Sequence, residues 1–199
     1  MPGRLDPESR RQEILTAAAR SIIEHGLHAT RVADIARRAG VSSGLVAHYF
    51  PTKDSLLAEA LINQDTLFYE QLEERLQGGG SARQRLVMMI ETACPPSAGA
   101  RVNWALWLEL WSAARLDPAL AATRNRLDGN WRKAIAATIR RGQREGEFEG
   151  GDPAEVALRL AALIDGLALQ VALGDRAVTP AKMRATCLKA AAAELGFEL

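Results

Sequence analysis

The sequence predicts an all-α chain, and three observations carry that prediction. Apolar residues recur at three- and four-residue spacing through nearly every segment. No run alternates apolar and polar residues as a half-buried strand would. Glycine and proline breaks then cut the chain into pieces of helical length, chiefly at Gly26, Gly40, Gly78–Gly80, Pro95-Pro96, Asp117-Pro118, Gly150–Pro153 and Thr179-Pro180. With 199 residues, 48% of them apolar and 25% charged, the chain has material for one or two domains with a core.

Taken in order, residues 1–7 hold Pro2, Gly3 and Pro7 and read as a loose arm. Arg4 there, and Arg10 and Arg11 just after it, are either solvated or within reach of an anionic partner. Glu8–His25 is helical, with Ile14, Ala18 and Ile22 in one row, Leu15, Ala19 and Ile23 beside it, and Gly26 as the stop. In the next piece Val32, Ile35, Ala36 and Ala39 share one helical face, and Gly40 ends it. Ser42 is placed to cap a second short helix, Ser43–Phe50. Val46 and Phe50 are its inward face; Ser43, Gly44, Leu45, Ala47, His48 and Tyr49 point outward.

Two short helices joined by a tight glycine turn, here about residues 31–50, form a helix-turn-helix unit whose second helix enters the DNA major groove. An ordinary helical hairpin would show the same glycine turn and small residues. The outward face favours the DNA-binding reading, being small, polar and equipped with His48 and Tyr49. Thr52 caps a third helix, which puts Lys53 at the positive end of its dipole. A bound phosphate would explain a lysine there; a solvated lysine tolerated at small cost is the bland alternative.

The run from Ile14 to Leu57, above all T-R-V-A-D-I-A-R-R-A-G-V-S-S-G-L-V-A-H-Y-F-P-T-K-D-S-L-L, resembles the DNA-binding domain of the TetR family. That resemblance implies phosphate contacts from Tyr49 and Lys53, and base or backbone contacts from Ser42, Ser43, Gly44, Leu45 and His48. Arg31 stands where many members have a capping Ser or Thr, so Thr30 is expected to take the cap, beside Arg31 at the DNA. Ala47 replaces a frequent aromatic residue, so base preference does not transfer.

Ser55–Leu76 is a long helix carrying Leu56, Leu57, Ala60, Leu61, Leu67, Phe68, Leu72 and Leu76, and is a candidate mechanical link out of the DNA-binding unit. The expected division is 1–54 for DNA binding and 55–199 for a helical effector-binding and dimerisation domain. Within the latter, helices are expected at Ala82–Cys94, Arg101–Ala114, Ala119–Arg144, Pro153–Leu173 and Pro180–Leu195. Between Val156 and Leu173 only Arg159, Asp165 and Gln170 are strongly polar. A helix apolar nearly all round must be covered nearly all round. A second copy, pairing this helix and the last one into a four-helix contact, supplies that cover most simply; a central helix in a monomeric core is the alternative.

Trp104, Trp107 and Trp111 lie on one helical face, with Trp131 on the next helix. An aromatic stripe is commonly core packing, but tryptophan faces also suit an organic cation, with Asp165 as counter-charge. W-A-L-W-L-E-L-W-S-A-A-R-L-D-P, G-E-F and A-A-L-I-D-G-L-A-L-Q resemble the BetI-type subgroup, named for the repressor of choline-to-betaine genes. This implies a quaternary ammonium or polyamine effector.

Net charge is +1, and residues 1–60 hold eight Lys/Arg against seven Asp/Glu, which argues against a non-specific DNA coater. The three histidines, His25, His28 and His48, belong to no metal or nucleophile constellation, and Gly78–Gly80 lacks the Lys-Ser/Thr of a phosphate loop. No enzyme, metal or cofactor is therefore expected. There is no run of about 20 apolar residues for a membrane span and no signal-peptide core. Cys94 and Cys187 read as two reduced thiols in a cytoplasmic protein. The reading is a homodimeric repressor on a palindromic operator, released by a small effector. A helical interaction module that binds no DNA is the alternative.

Overall fold

The computed structural model describes residues 6–76, 79–95 and 99–198, the side chains of 99–103 excepted. Among them all regular structure is helical: α1 (Pro7–His25), α2 (Val32–Ala39), α3 (Ser43–Tyr49), α4 (Lys53–Leu76), α5 (Ala82–Ala93), α6 (Gly99–Ala114), α7 (Pro118–Arg144), α8 (Pro153–Ala172) and α9 (Pro180–Leu195). The expected arm at residues 1–5 with Arg4, Gln77-Gly78 of the glycine break, and Pro96 lie outside the described residues. Arg10 and Arg11 lie within α1, as the helical reading of Glu8–His25 expects, and the helix starts one residue earlier because Pro7 serves as a ready first residue.

The helices gather into two compact units, one built from residues up to Thr66 with Ala105–Arg124, the other from Leu67–Trp104 with Asn125–Leu199. In the first, α1 packs on α2 and α2 on α3. Ile14, Leu15, Ala18 and Ile22 of α1 are buried with Ile35 and Ala36 of α2, Val46 and Phe50 at α3, and Leu56, Leu57, Ala60 and Leu61 of α4. Gly40 takes a left-handed φ of 66°, and the Val41 N–H returns to the Ala36 carbonyl at 2.9 Å, closing α2 as a side chain with a Cβ would resist. Thr52 and Ser55 then cap α4 reciprocally: Thr52 Oγ1 accepts from the Ser55 N–H at 3.0 Å and Ser55 Oγ from the Thr52 N–H at 3.2 Å.

In the second unit α9 packs against both α8 and α5. Ser81 and Gln84 form a capping box at α5, and Glu147 adds its carboxylate to the N–H groups of Ala82 (3.1 Å) and Arg83 (2.9 Å). These bonds, the one from Arg83 foremost, hold the Glu147 carboxyl below its usual range. Its support for α5 is therefore present at neutral pH and is lost as pH falls through that lowered value. Asp152 and Thr179 cap α8 and α9, each followed by proline. Cys94 and Cys187 are both buried and share a thiol hydrogen bond, which with burial pushes Cys94 ionisation up and keeps it a thiol. Leu67, expected on the apolar row of α4, is exposed.

Gly142 of α7 lies against the Phe148 ring, whose centroid is 5.5 Å from that of Phe197 with the planes tilted by 42°. A Cβ on Gly142 would fall 2.2 Å from that ring, whereas one on Gly129 of the same helix would meet nothing within 4 Å. Helix propensity alone favours alanine at both. Gly142→Ala is expected to destabilise the chain by roughly 1–3 kcal/mol through overpacking, and Gly129→Ala to stabilise it by roughly 0.5–1 kcal/mol. Denaturant midpoints of the two variants check the opposite signs.

Candidate nucleic-acid interface

α3 has the register its sequence predicts. Ser42 Oγ accepts the Leu45 N–H at 3.1 Å, which fixes where the helix begins and hence which side faces in. Val46 and Phe50 are buried; Ser42, Ser43, Gly44, Ala47 and His48 are exposed, with Leu45 and Tyr49 half-buried. His48 and Tyr49 meet edge to face at 5.6 Å, and Tyr49 Oη donates weakly to the Pro7 carbonyl at 3.4 Å. Arg31 is exposed at the start of α2. The surface thus presents a short, smooth rod with hydroxyl, imidazole and phenol groups, a shape that can lie along base edges.

Thr30 and Lys53 are used differently from expectation. The cap position of α2 is Arg31, with no side-chain cap bond, and Thr30 is buried. Its hydroxyl lies 2.7 Å from the Gly26 carbonyl and 3.1 Å from that of Ser21, closing the end of α1 instead of capping α2. It has no surface for DNA. Lys53 Nζ donates to the carbonyls of Leu27 (3.0 Å), His28 (3.1 Å) and Thr30 (3.1 Å). Its three ammonium hydrogens thus meet three carbonyls, which accounts for a lysine at this helix end without an external anion.

Arg10 and Arg11 of α1, and Arg38 of α2, are engaged within the chain. The Arg11 guanidinium lies 5.5 Å from the Phe50 ring centroid and pairs with Glu59 at 2.7 Å. Arg10 pairs with Glu13 at 2.8 Å. Arg38 pairs with Glu24 and holds that carboxyl below its ordinary range.

The expected effector residues fall in both units. Trp104 is buried in the second, its indole N–H donating to the Ala93 carbonyl at the end of α5 at 3.2 Å. Trp107 and Trp111 belong to the first, half-buried, with rings 6.5 Å apart. Asp165 is half-buried on α8. Sequence spacing missed a second aromatic group: Phe68 meets Tyr69 at 5.3 Å and Trp131 at 5.4 Å, both edge to face. Phe68 and Trp131 are on different helices, so no local pattern marks them. A surface groove of about 460 Å³ beside α5, lined by Arg75, Gln84, Val87, Met88 and Glu91 among others, contains none of the expected residues.

Residues 14–60 match the family of bacterial regulatory proteins called the tetR family, and residues 82–196 match the family described as BetI-type transcriptional repressor, C-terminal. The HTH-type transcriptional regulator BetI of Escherichia coli is 30% identical over 169 residues, 84% of each chain. A protein of Saccharomonospora viridis assigned as a transcriptional regulator, solved in complex with choline, is 36% identical with a TM-score of 0.81, covering 92% of this chain and 95% of its own. A Rhodococcus protein assigned to the TetR family is 30% identical with a TM-score of 0.83, covering 94% and 99%.

The inward placement of Lys53 has a measurable consequence. Lys53→Met is expected to lower stability without any DNA present, by about 0.5–1.5 kcal/mol, because two part-buried carbonyls and one exposed one lose their donor. Ser42→Ala should cost about 1 kcal/mol through the lost cap. Thermal unfolding of the DNA-free variants measures both, and a lysine that served only an external phosphate would leave the melting temperature unchanged.

Proposed function

This chain belongs to the tetR family of bacterial regulatory proteins and carries the family's BetI-type C-terminal region, and on that premise we propose how it reads DNA and what it senses. It is a ligand-responsive DNA-binding transcriptional regulator and not an enzyme. Residues 1–54 are its DNA-reading part and 55–199 its sensing and pairing part. The observation that carries the DNA reading is the two-sided α3, with Val46 and Phe50 buried and Ser43, Gly44, Ala47 and His48 exposed. Ser42, Ser43, Gly44, Leu45 and His48 approach bases and backbone, while Arg31 and Tyr49 hold phosphates.

A helix of seven residues covers few base pairs, and a near-neutral chain cannot compensate with charge. Doubling the contact does. On α8, Leu158 and Leu169 are 48% and 40% exposed, and Leu173 beyond it is 73% exposed. A second copy covering this face makes a two-fold homodimer that presents two α3 helices to one side of a palindromic operator, about 34–36 Å apart. The site of action is the compartment of the DNA, the bacterial cytoplasm, in keeping with the absence of any helix long and apolar enough to cross a membrane among the described residues.

For the effector, similarity to the choline-bound regulator points to a quaternary ammonium. Aromatic faces are the groups that attract such a cation, and two separate sets of candidates carry them: Trp104, Phe68 and Trp131 with Asp165 as counter-charge in the second unit, and Trp107 and Trp111 of α6 in the first. Binding releases the operator to the extent that choline prefers the non-binding conformation.

Selection of duplexes from a random pool by the full chain should return inverted half-sites one helical turn apart. His48→Ala should relax preference at one position per half-site by about 5- to 150-fold, the span of one good base contact. Choline titrated calorimetrically should bind and lower operator affinity, and Trp131→Ala should weaken that binding by roughly 2- to 30-fold. Selection of no duplex would overturn the DNA reading, and absence of choline binding would overturn the effector assignment alone.

A further inference from the structure

We infer that Glu109 is a positioning residue for the recognition helix α3, tying the loop between α1 and α2 to α6 through the Leu27 backbone. The inference rests on the DNA-binding reading above and adds a residue outside the segment that carries the helix-turn-helix. Glu109 Oε2 accepts the Leu27 N–H at 3.0 Å, across 82 positions of sequence. Leu27 is buried just beyond the end of α1, where its N–H has no place in the helical ladder. The carbonyl of the same residue accepts from Lys53 Nζ at 3.0 Å. Lys53 opens α4 three residues after Phe50, the residue that ends α3. A carboxylate on α6, both polar groups of Leu27 and the Lys53 ammonium therefore form one chain of charge-assisted hydrogen bonds to the exit of α3.

Gly26 makes room for this contact. It has φ of 77°, and a Cβ there would lie 3.3 Å from Glu109 Oε1, closer than an ordinary contact. Glu109 is two residues from Trp107 and two from Trp111, about 200° around the helix from each. α6 thus carries its aromatic stripe on one side and its grip on the Leu27 loop on another. A turn or slide of α6 moves the acceptor away from Leu27 and loosens Lys53, a route to α3 separate from the length of α4.

The experiment compares the full-length wild type, Glu109→Ala and Glu109→Gln on the duplex that the wild type selects. Glu109→Ala should weaken binding about tenfold or more, within the usual range of coupling between sites. The salt dependence of binding should not change, since Glu109 touches no phosphate. Amide exchange at Leu27 should speed up while that of α8 and α9 does not. Glu109→Gln keeps an oxygen acceptor for the same N–H and should restore affinity to within about threefold. Wild-type affinity in Glu109→Ala, or an equal loss in Glu109→Gln, overturns the inference. If Glu109→Ala does not fold, Glu109→Asp, one methylene short of Leu27, takes its place under the same criteria. A wild type that selects no duplex is a failure of the DNA reading, seen before any variant is made.

Discussion

The DNA-reading end of this chain depends on how the carbonyls between α1 and α2 are satisfied. A helix that stops abruptly leaves its last carbonyls without partners, and the loop that follows adds more. Here Thr30 answers one of them from within the loop and Lys53 answers three at once from the start of α4. A cation at a helix N-terminus runs against the dipole by about 0.3–1 kcal/mol, and three hydrogen bonds to a charged donor outweigh that. The result is that the exit of α1, the turn into α2 and the junction of α3 with α4 are held by one group. α3 has only seven residues and one buried side chain of its own, so its direction is set by these neighbours.

What could be read from the sequence was whatever local rules decide. The register of α3 follows from Ser42, Val46 and Phe50, and the ends of α2, α8 and α9 follow from glycine, Asp152 and Thr179. Groups whose partners lie far along the chain were not legible. Thr30 was expected to cap forward because Arg31 stands where the resembled family has its capping residue, yet its hydroxyl turns back to the carbonyls of Gly26 and Ser21. Lys53 was read against its own helix alone, and its carbonyl partners are more than twenty positions away. Glu109 against Leu27 and Phe68 against Trp131 belong to the same class: each has a plain local explanation, and the telling contact is tertiary.

The C-terminal part of the chain shows the complementary behaviour, in which composition says more than position. α8 is apolar around most of its circumference, and the chain itself covers only one side, through Val156, Leu160, Ile164 and Val171. Leu158 and Leu169 are left to solvent on the other. Composition thus demands more cover than one copy supplies, which is why pairing enters the functional proposal. The tryptophans divide along similar lines. Trp104 is anchored through its indole N–H to the end of α5, as a core residue would be, while Trp107 and Trp111 keep part of their surface.

Finally, α5 begins with an unusual surplus of acceptors: the Ser81 hydroxyl, the Gln84 amide and both oxygens of Glu147. Arg141 adds a grip on the Gly80 carbonyl just upstream. The starting point of α5 is therefore dictated from α7 and the turn after it, not by the length of chain arriving from α4. Evolution can lengthen or shorten the glycine tract by a residue or two without shifting the phase of the helix beyond it, so relatives are free to differ there in length while agreeing in α5.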